Sequence, residues 1–177
     1  MIAIKFISKS ILRSACMLLL GASTLVLRAQ ESNKSAEIPT EVSSAIGLPE
    51  INILLQEAYS HMGTRYRSGG KSPQGFDCSG FVGFCFNSSL GIKTPASSSG
   101  FHSAGVKITE SEAKPGDVIC FTGSNSSRRI CGHVGIITEI TDSTIYFIHS
   151  ATSSGIRIDA LYQPYYKTRF LEIRRFF

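Results

Sequence analysis

Cys78 has the flanks of a nucleophile. It stands in Phe76-Asp77-Cys78-Ser79-Gly80-Phe81-Val82, directly after the glycine-rich run Gly63-Thr64-Arg65-Tyr66-Arg67-Ser68-Gly69-Gly70. Asp77 suits a helix N-cap, and Phe81, Val82, Cys85 and Phe86 recur at helical spacing. The pattern therefore places Cys78 at the tip of a helix that Gly91 ends. Unpaired N–H groups and a partial positive charge at such a tip favour thiolate over thiol. An isolated cysteine inside an apolar helix is more often core, but one at the exposed start of the helix is placed for attack.

A thiol nucleophile needs a base, and beyond the Ser-rich stretch only His133 and His149 follow. Both lie in runs with strand character: His133-Val134-Gly135-Ile136-Ile137 and Thr144-Ile145-Tyr146-Phe147-Ile148-His149, with Thr141-Asp142-Ser143 as a turn between them. In such a hairpin the register decides the chemistry, because a one-residue slip sends a side chain to the other face. Folding about Thr141, or a register differing from that by two, puts both imidazoles on one face. A two-residue Asp142-Ser143 loop without a bulge separates them. We expect the shared face, since a base histidine works best with a second group that fixes its tautomer.

The elements that must hold these residues can be read from the same chain. Helical signals begin at Leu48-Pro49-Glu50, with Ile51, Leu54, Leu55, Ala58 and Tyr59 as the apolar face, and end near Gly63. The stretch from Thr94 to Gly105, rich in Ser, Ala and Gly, reads as a solvated connection in which Ser97 to Ser99 are placed to rim a cleft. Lys114-Pro115-Gly116-Asp117 is a turn into a central strand, Val118-Ile119-Cys120-Phe121. Strands are also expected over Gly155 to Asp159 and Phe170 to Ile173, with Arg174 and Arg175 as solvated terminal charges. A mostly antiparallel sheet follows.

Four blocks, in this order, resemble the NlpC family of cell-wall cysteine endopeptidases: residues 63–82, Lys114-Pro115-Gly116-Asp117-Val118, Gly132-His133-Val134-Gly135-Ile136, and Phe147-Ile148-His149-Ser150-Ala151. The resemblance implies an α+β papain-like fold, with N-terminal helices on a mostly antiparallel sheet and the nucleophile at a helix N-terminus. It also implies roles: Cys78 as nucleophile, His133 as general base and acid, and His149 as the group orienting His133. Tyr66 and the Cys78 N–H would form the oxyanion hole, and Asp77 and Ser79 would hold the substrate's free amino end. An aspartate beside a thiolate opposes its ionisation, so a role toward a cationic amine makes sense of Asp77. The implied substrates are peptidoglycan stem peptides or muropeptides, cut between γ-D-glutamate and a diamino acid, with no cofactor. Rival readings are an amidase or acyltransferase on the same scaffold and a catalytically silent wall-binding module.

The 177-residue chain carries a formal charge of +5 and an isoelectric point near 9.0, which on its face suits a nucleic-acid partner. Lys5, Lys9, Arg13 and Arg28 precede any acidic residue, however, and without residues 1–29 there remain 14 basic against 13 acidic side chains. A nucleic-acid partner then loses its main support. That basic start, the apolar Met17-Leu18-Leu19-Leu20 and Leu25-Val26-Leu27, and Ala29 before Gln30 read as an export signal. The apolar part is too short for a permanent membrane span. Residues 30–47 are polar and read as a flexible linker, leaving 48–177 as one peptidase domain, expected to be monomeric and to act in the periplasm or outside the cell.

After removal of the signal four cysteines remain. Cys85 lies two turns from Cys78 and reads as core, while Cys120 and Cys131 flank a polar loop where a disulfide is open to them. Zinc bound by Cys131 and His133 with His149 and Cys78 or Cys120 is the rival use, but no Cys-x-x-Cys pair supports it, and no metal is expected.

Overall fold

All five residues of Val118–Thr122 are buried, because this strand has cores on both of its faces. In the computed structural model, which describes residues 40–177 and their side chains from residue 49 on, the elements run in order. They are α1 (Thr40–Ser60), β1 (Lys71–Ser72), β2 (Gly75–Phe76), α2 (Cys78–Leu90), α3 (Ser98–Ser103), β3 (Val106–Ile108), β4 (Val118–Thr122), β5 (Cys131–Ile140), β6 (Ile145–Ala151), β7 (Gly155–Ala160), α4 (Pro164–Lys167) and β8 (Phe170–Arg175). The expected signal, 1–29, and linker residues 30–39 lie outside the described residues. A six-stranded sheet has the order β3-β8-β4-β5-β6-β7, antiparallel at every pairing. β4 is interior, as its unbroken apolar run requires.

Pleating sends alternate residues of each strand to opposite faces. Val118, Cys120, Val134, Ile136 and Ile148 meet Leu54, Phe81, Val82, Cys85 and Phe86 of the helices in one core. Ile119, Phe121, Ile137, Phe147 and Ile173 form a second core on the other face with Leu161. The helix expected at Leu48 instead starts at Thr40 and runs through Pro49, so residues 40–47, expected to be flexible, are helical. Proline deletes one backbone donor but does not force a helix to begin there. Tyr59, assigned to the apolar face, is exposed.

The Ser-rich stretch is also more ordered than expected. Ser97 caps α3 by accepting from the Gly100 N–H, and Phe101 inserts fully buried against Phe176 at 5.5 Å between ring centres. Arg174 and Arg175 are not solvated terminal charges. Arg175 grips the buried Asp117 with two hydrogen bonds of 2.7 Å, and Arg174 donates to the buried Glu172 at 2.7 Å. Arg174 finds its acid two residues back on the same strand, whereas the partner of Arg175 comes from the turn before β4, 58 residues away in sequence.

The register of the β5–β6 hairpin settles the position of the histidines. At the turn Ile140 faces Ile145, and the Thr141 N–H donates to the Thr144 carbonyl at 2.9 Å, so the loop is the two-residue Asp142-Ser143 type. Left alone, that register would put His133 and His149 on opposite faces. A bulge between Ile137 and Glu139 shifts the pairing to Ile137 with Phe147 and Ile136 with Ile148. One extra residue restores the parity. The imidazoles thus share a face in a register differing by two from the Thr141-centred one.

Candidate active site

Cys78 is the first residue of α2, and the loop that delivers it is fixed from both sides. Fully buried Phe76 packs against Phe81, Phe84 and the ring of His61, with centroids 5.2 to 5.7 Å apart. The Phe76 carbonyl accepts from the Ser150 hydroxyl at 2.8 Å, tying the Cys78 loop to the strand residue next to His149. Within the loop, the Gly70 carbonyl accepts from the Asp77 N–H at 2.9 Å. A methyl group on Gly80 would run into that same oxygen. Gly91, at φ 67°, ends the helix as expected.

Asp77 caps α2: its Oδ1 accepts from the Gly80 N–H at 2.6 Å and from the Ser79 hydroxyl at 3.0 Å. Among the described residues Oδ2 has no hydrogen-bond partner. Cys78 is 8% exposed, and its Sγ lies 3.3 Å from the Ser98 hydroxyl at the start of α3 and 4.0 Å from the Gly132 carbonyl. The expectation of a lowered thiol pKa is not met. Burial pushes the Cys78 thiol up and Asp77 adds to this, outweighing the Ser98 hydroxyl and the N–H groups of Val134 and Ser79. The helix start does favour thiolate, but desolvation of the sulfur is larger.

Gly132 and Val134, whose backbones reach the sulfur, bracket His133. The His133 Nε2 lies 2.8 Å from His149 Nδ1, the rings nearly perpendicular at 87°. Burial, reinforced by repulsion from His149, lowers the His133 pKa to about 3 despite the opposing field of Asp159. Both shifts favour the uncharged forms, a thiol at Cys78 and a neutral imidazole at His133. Gly135 makes the close approach possible: a side chain there would press on the Ile148 carbonyl at 2.9 Å and on Cβ of His149 at 3.1 Å.

Asp159 on β7 stands behind His149 and was not singled out in the sequence. Its Oδ2 lies 2.9 Å from His149 Nε2 and accepts from the Tyr166 hydroxyl at 2.7 Å, while Oδ1 accepts from Arg157 at 2.6 Å. The signal was available in the β6–β7 hairpin, where His149 pairs with Arg157 and Phe147 with Asp159. With the tight turn at residues 152–154 recognised, Asp159 falls two positions along the strand on the histidine face. Tyr66 is half-buried and bridges to Phe76. Burial, then the field of Cys78 once that thiol is ionised and that of Asp77, push its phenol up, and a Thr152 hydrogen bond opposes this.

One concavity lies beside the histidine pair and another against α2. One, of about 270 Å³, is lined by Phe121, His133, His149, Thr152, Tyr166 and Arg169. The other, of about 370 Å³, includes Lys71, Ser79, Gly80, Asn87, Lys93 and Thr94. Among the described residues the other cysteines, Cys85, Cys120 and Cys131, are free. Cys85 is fully buried and burial pushes its thiol far up. Hydrogen bonding to Cys131, together with burial, pushes the Cys120 thiol up in the same way. Among the described residues no group of three His, Cys, Asp or Glu side chains is arranged to hold a metal ion, and no helix is long and apolar enough to cross a membrane.

A sequence profile of the NlpC/P60 family matches residues 63–175. Over 113 residues the chain is 36% identical to the murein DD-endopeptidase MepS/murein LD-carboxypeptidase of Escherichia coli K12, covering 64% of this chain and 56% of that protein. Over 124 residues it is 36% identical to the gamma-DL-glutamyl hydrolase of Bacillus subtilis strain 168, covering 70% of this chain and 29% of that enzyme. The chain thus spans about half or less of the length of these two relatives. The crystal structure of an NlpC/P60 family protein from Bacillus cereus superposes with a TM-score of 0.62 at 28% identity, over 71% of this chain and 39% of that one.

Proposed function

The chain belongs to the NlpC/P60 family, and on that premise we propose that it is an exported cysteine endopeptidase cutting peptidoglycan stem peptides at the γ-D-glutamyl–diamino acid bond. The observation that carries the reading is the placement of Cys78 on the first residue of α2, against the backbone on either side of a His133 already paired with His149 at 2.8 Å. As Cys78 Sγ bonds to the scissile carbonyl carbon, His133 takes the thiol proton. The oxyanion is met by the Cys78 N–H and the Tyr66 hydroxyl. His133 then gives its proton to the leaving amine as the C–N bond breaks. Water, deprotonated by the same imidazole, hydrolyses the thioester and frees the thiol. Each oxyanion donor typically contributes about 2.7–4 kcal/mol to the transition state. Tyr66→Phe should therefore slow turnover by about 10²–10³-fold.

The unpartnered Oδ2 of Asp77, with the Ser79 hydroxyl beside it, suits the ammonium of a substrate whose amino end is free. The Bacillus relative, named for γ-glutamyl hydrolysis, favours this bond. The Escherichia relative, named a DD-endopeptidase and LD-carboxypeptidase, carries the second reading. Export rests on the basic and apolar pattern of residues 1–29. Mass-spectrometric digestion of L-Ala-γ-D-Glu-diaminopimelate peptides and of D,D-crosslinked muropeptides by the wild type separates the readings. Release of L-Ala-γ-D-Glu supports the proposal, whereas resolution of crosslinks with the stem peptide intact supports the second. An amidase or acyltransferase would leave both bonds uncut.

A further inference from the structure

A histidine is an ambiguous orienting group. Neutral imidazole has one N–H and one bare nitrogen, so His149 can either accept from His133 or donate to it. The two cases have opposite consequences at the sulfur. If His149 Nδ1 accepts, the His133 proton sits on Nε2 and Nδ1 is bare, able to take the thiol proton. If His149 Nδ1 carries the proton, His133 Nε2 must accept, its own proton moves to Nδ1, and the base has no lone pair to offer Cys78.

We infer that Asp159 is a positioning residue that removes this ambiguity, setting the tautomer of His149 directly and that of His133 through it. Asp159 is 5% exposed and hydrogen-bonded on both oxygens. Burial pushes its carboxyl up, but hydrogen bonds from His149 and Tyr166 and the charge of Arg157 overcome this and hold it below its ordinary value. An ionised carboxylate can only accept. At 2.9 Å it obliges His149 Nε2 to donate, leaving Nδ1 bare to accept from His133 at 2.8 Å. The Tyr166 hydroxyl has one proton, and it goes to the carboxylate at 2.7 Å and not to His149 Nε2 at 3.3 Å. Asp159 thus also keeps Tyr166 from donating to His149. When His133 becomes positive during attack, the dipole of His149 and the charge of Asp159 are already aligned toward it.

Asp159→Ala exposes the mechanism because it frees Tyr166. With the carboxylate gone, the Tyr166 hydroxyl is free to donate to His149 Nε2, and a proton given there favours the inactive tautomer on both rings. The inference rests on the reading of Cys78 and His133 as the reacting pair, so the test has one arm that needs no substrate. Two-bond ¹H–¹⁵N correlation spectra of the full chain, labelled at histidine, report which ring nitrogen carries each proton. The wild type should show Nε2–H on both His133 and His149, and Asp159→Ala should show Nδ1–H on both. In the activity arm, Asp159→Ala should lower kcat by about 10²-fold or more, with KM changed less than threefold, since a wrong tautomer at a buried Asp–His pair costs up to about 10⁴-fold. Adding Tyr166→Phe should recover several-fold of the lost kcat.

Nδ1–H on His149 in the wild type would overturn the inference, and so would an Asp159→Ala enzyme within twofold of wild-type kcat. A double variant slower than the Asp159→Ala single would mark a purely structural role and also overturn it. The wild-type spectrum decides the tautomers even if a variant fails to fold. Expected tautomers in a protein that cuts no stem peptide would leave the relay standing and remove the substrate assignment instead.

Discussion

Asp77→Asn should move two properties of the active site in opposite directions. Asn ranks with Asp as an N-cap, so an Oδ1 accepting from the Gly80 N–H is preserved. The stability lost is that of a negative charge at a helix start, at most about 1 kcal/mol. The negative charge of Asp77 helps to hold the Cys78 thiol up. Its removal raises the thiolate fraction at any pH below the thiol pKa. A less basic thiolate is somewhat less nucleophilic, but with a Brønsted slope near 0.4–0.5 the gain in fraction exceeds that loss. Iodoacetamide should therefore alkylate Cys78 faster in the variant. Peptide cleavage should go the other way. Losing a hydrogen bond between charged groups costs about 1.5–3 kcal/mol, which is about a 10- to 150-fold fall in kcat/KM. An N-acetylated peptide lacks the ammonium, and the variant should cleave it no more slowly than the wild type does. The assay is alkylation rate at fixed pH beside kcat/KM for the free and acetylated peptides. Unchanged cleavage of the free-amine peptide, or slower alkylation, would refute the reasoning.

Arg175→Ala leaves the Asp117 carboxylate buried with only the Lys114 N–H donating to it, its two hydrogen bonds from the guanidinium lost, and should cost about 3 kcal/mol in denaturant unfolding, with kcat per folded molecule unchanged. Gly135→Ala forces a methyl against the Ile148 carbonyl and His149; it should cost about 1–3 kcal/mol by overpacking and lower kcat as His149 is displaced. His133, ordinarily near 6.5, is lowered to about 3 in the folded chain, so the unfolded chain binds its proton first. Its contribution to stability is complete above pH 6.5 and is lost as pH falls toward 3, and urea titrations of His133→Gln should show a flatter slope across that window.

The helix carrying Cys78, its Gly91 stop, the central strand and the histidine strands were legible because each rests on local signals: a cap, an apolar period, an unbroken apolar run. The shared face of His133 and His149 was legible only as a choice between registers, since the bulge at Thr138 that decides it has no glycine or proline to announce it. Asp159 escaped because its importance lies in a partner ten residues away across a hairpin. Ser98 was read as rim with no contact assigned, yet its hydroxyl lies 3.3 Å from the sulfur. The thiol pKa was misjudged for a different reason: the helix start is visible in sequence, whereas the desolvation that outweighs it depends on α3 and β5 closing over the sulfur. Arg175 looked like a solvated tail because Asp117 reaches it only once β8 has joined the sheet, and the pairing of Arg174 with Glu172 two residues back on the same strand was overlooked.

The claim on which everything else depends is that Cys78 is the nucleophile, and graded alkylation tests it most directly. Folded protein is treated with increasing iodoacetamide, the modified cysteines are mapped by peptide mass spectrometry, and residual hydrolysis of L-Ala-γ-D-Glu-diaminopimelate is measured on the same samples. Cys85 and Cys120 are fully buried with thiols pushed far up. Activity should therefore fall in direct proportion to Cys78 modification and reach zero while those two remain unmodified. Hydrolysis that survives complete modification of Cys78, or that falls in step with another cysteine, would contradict the account.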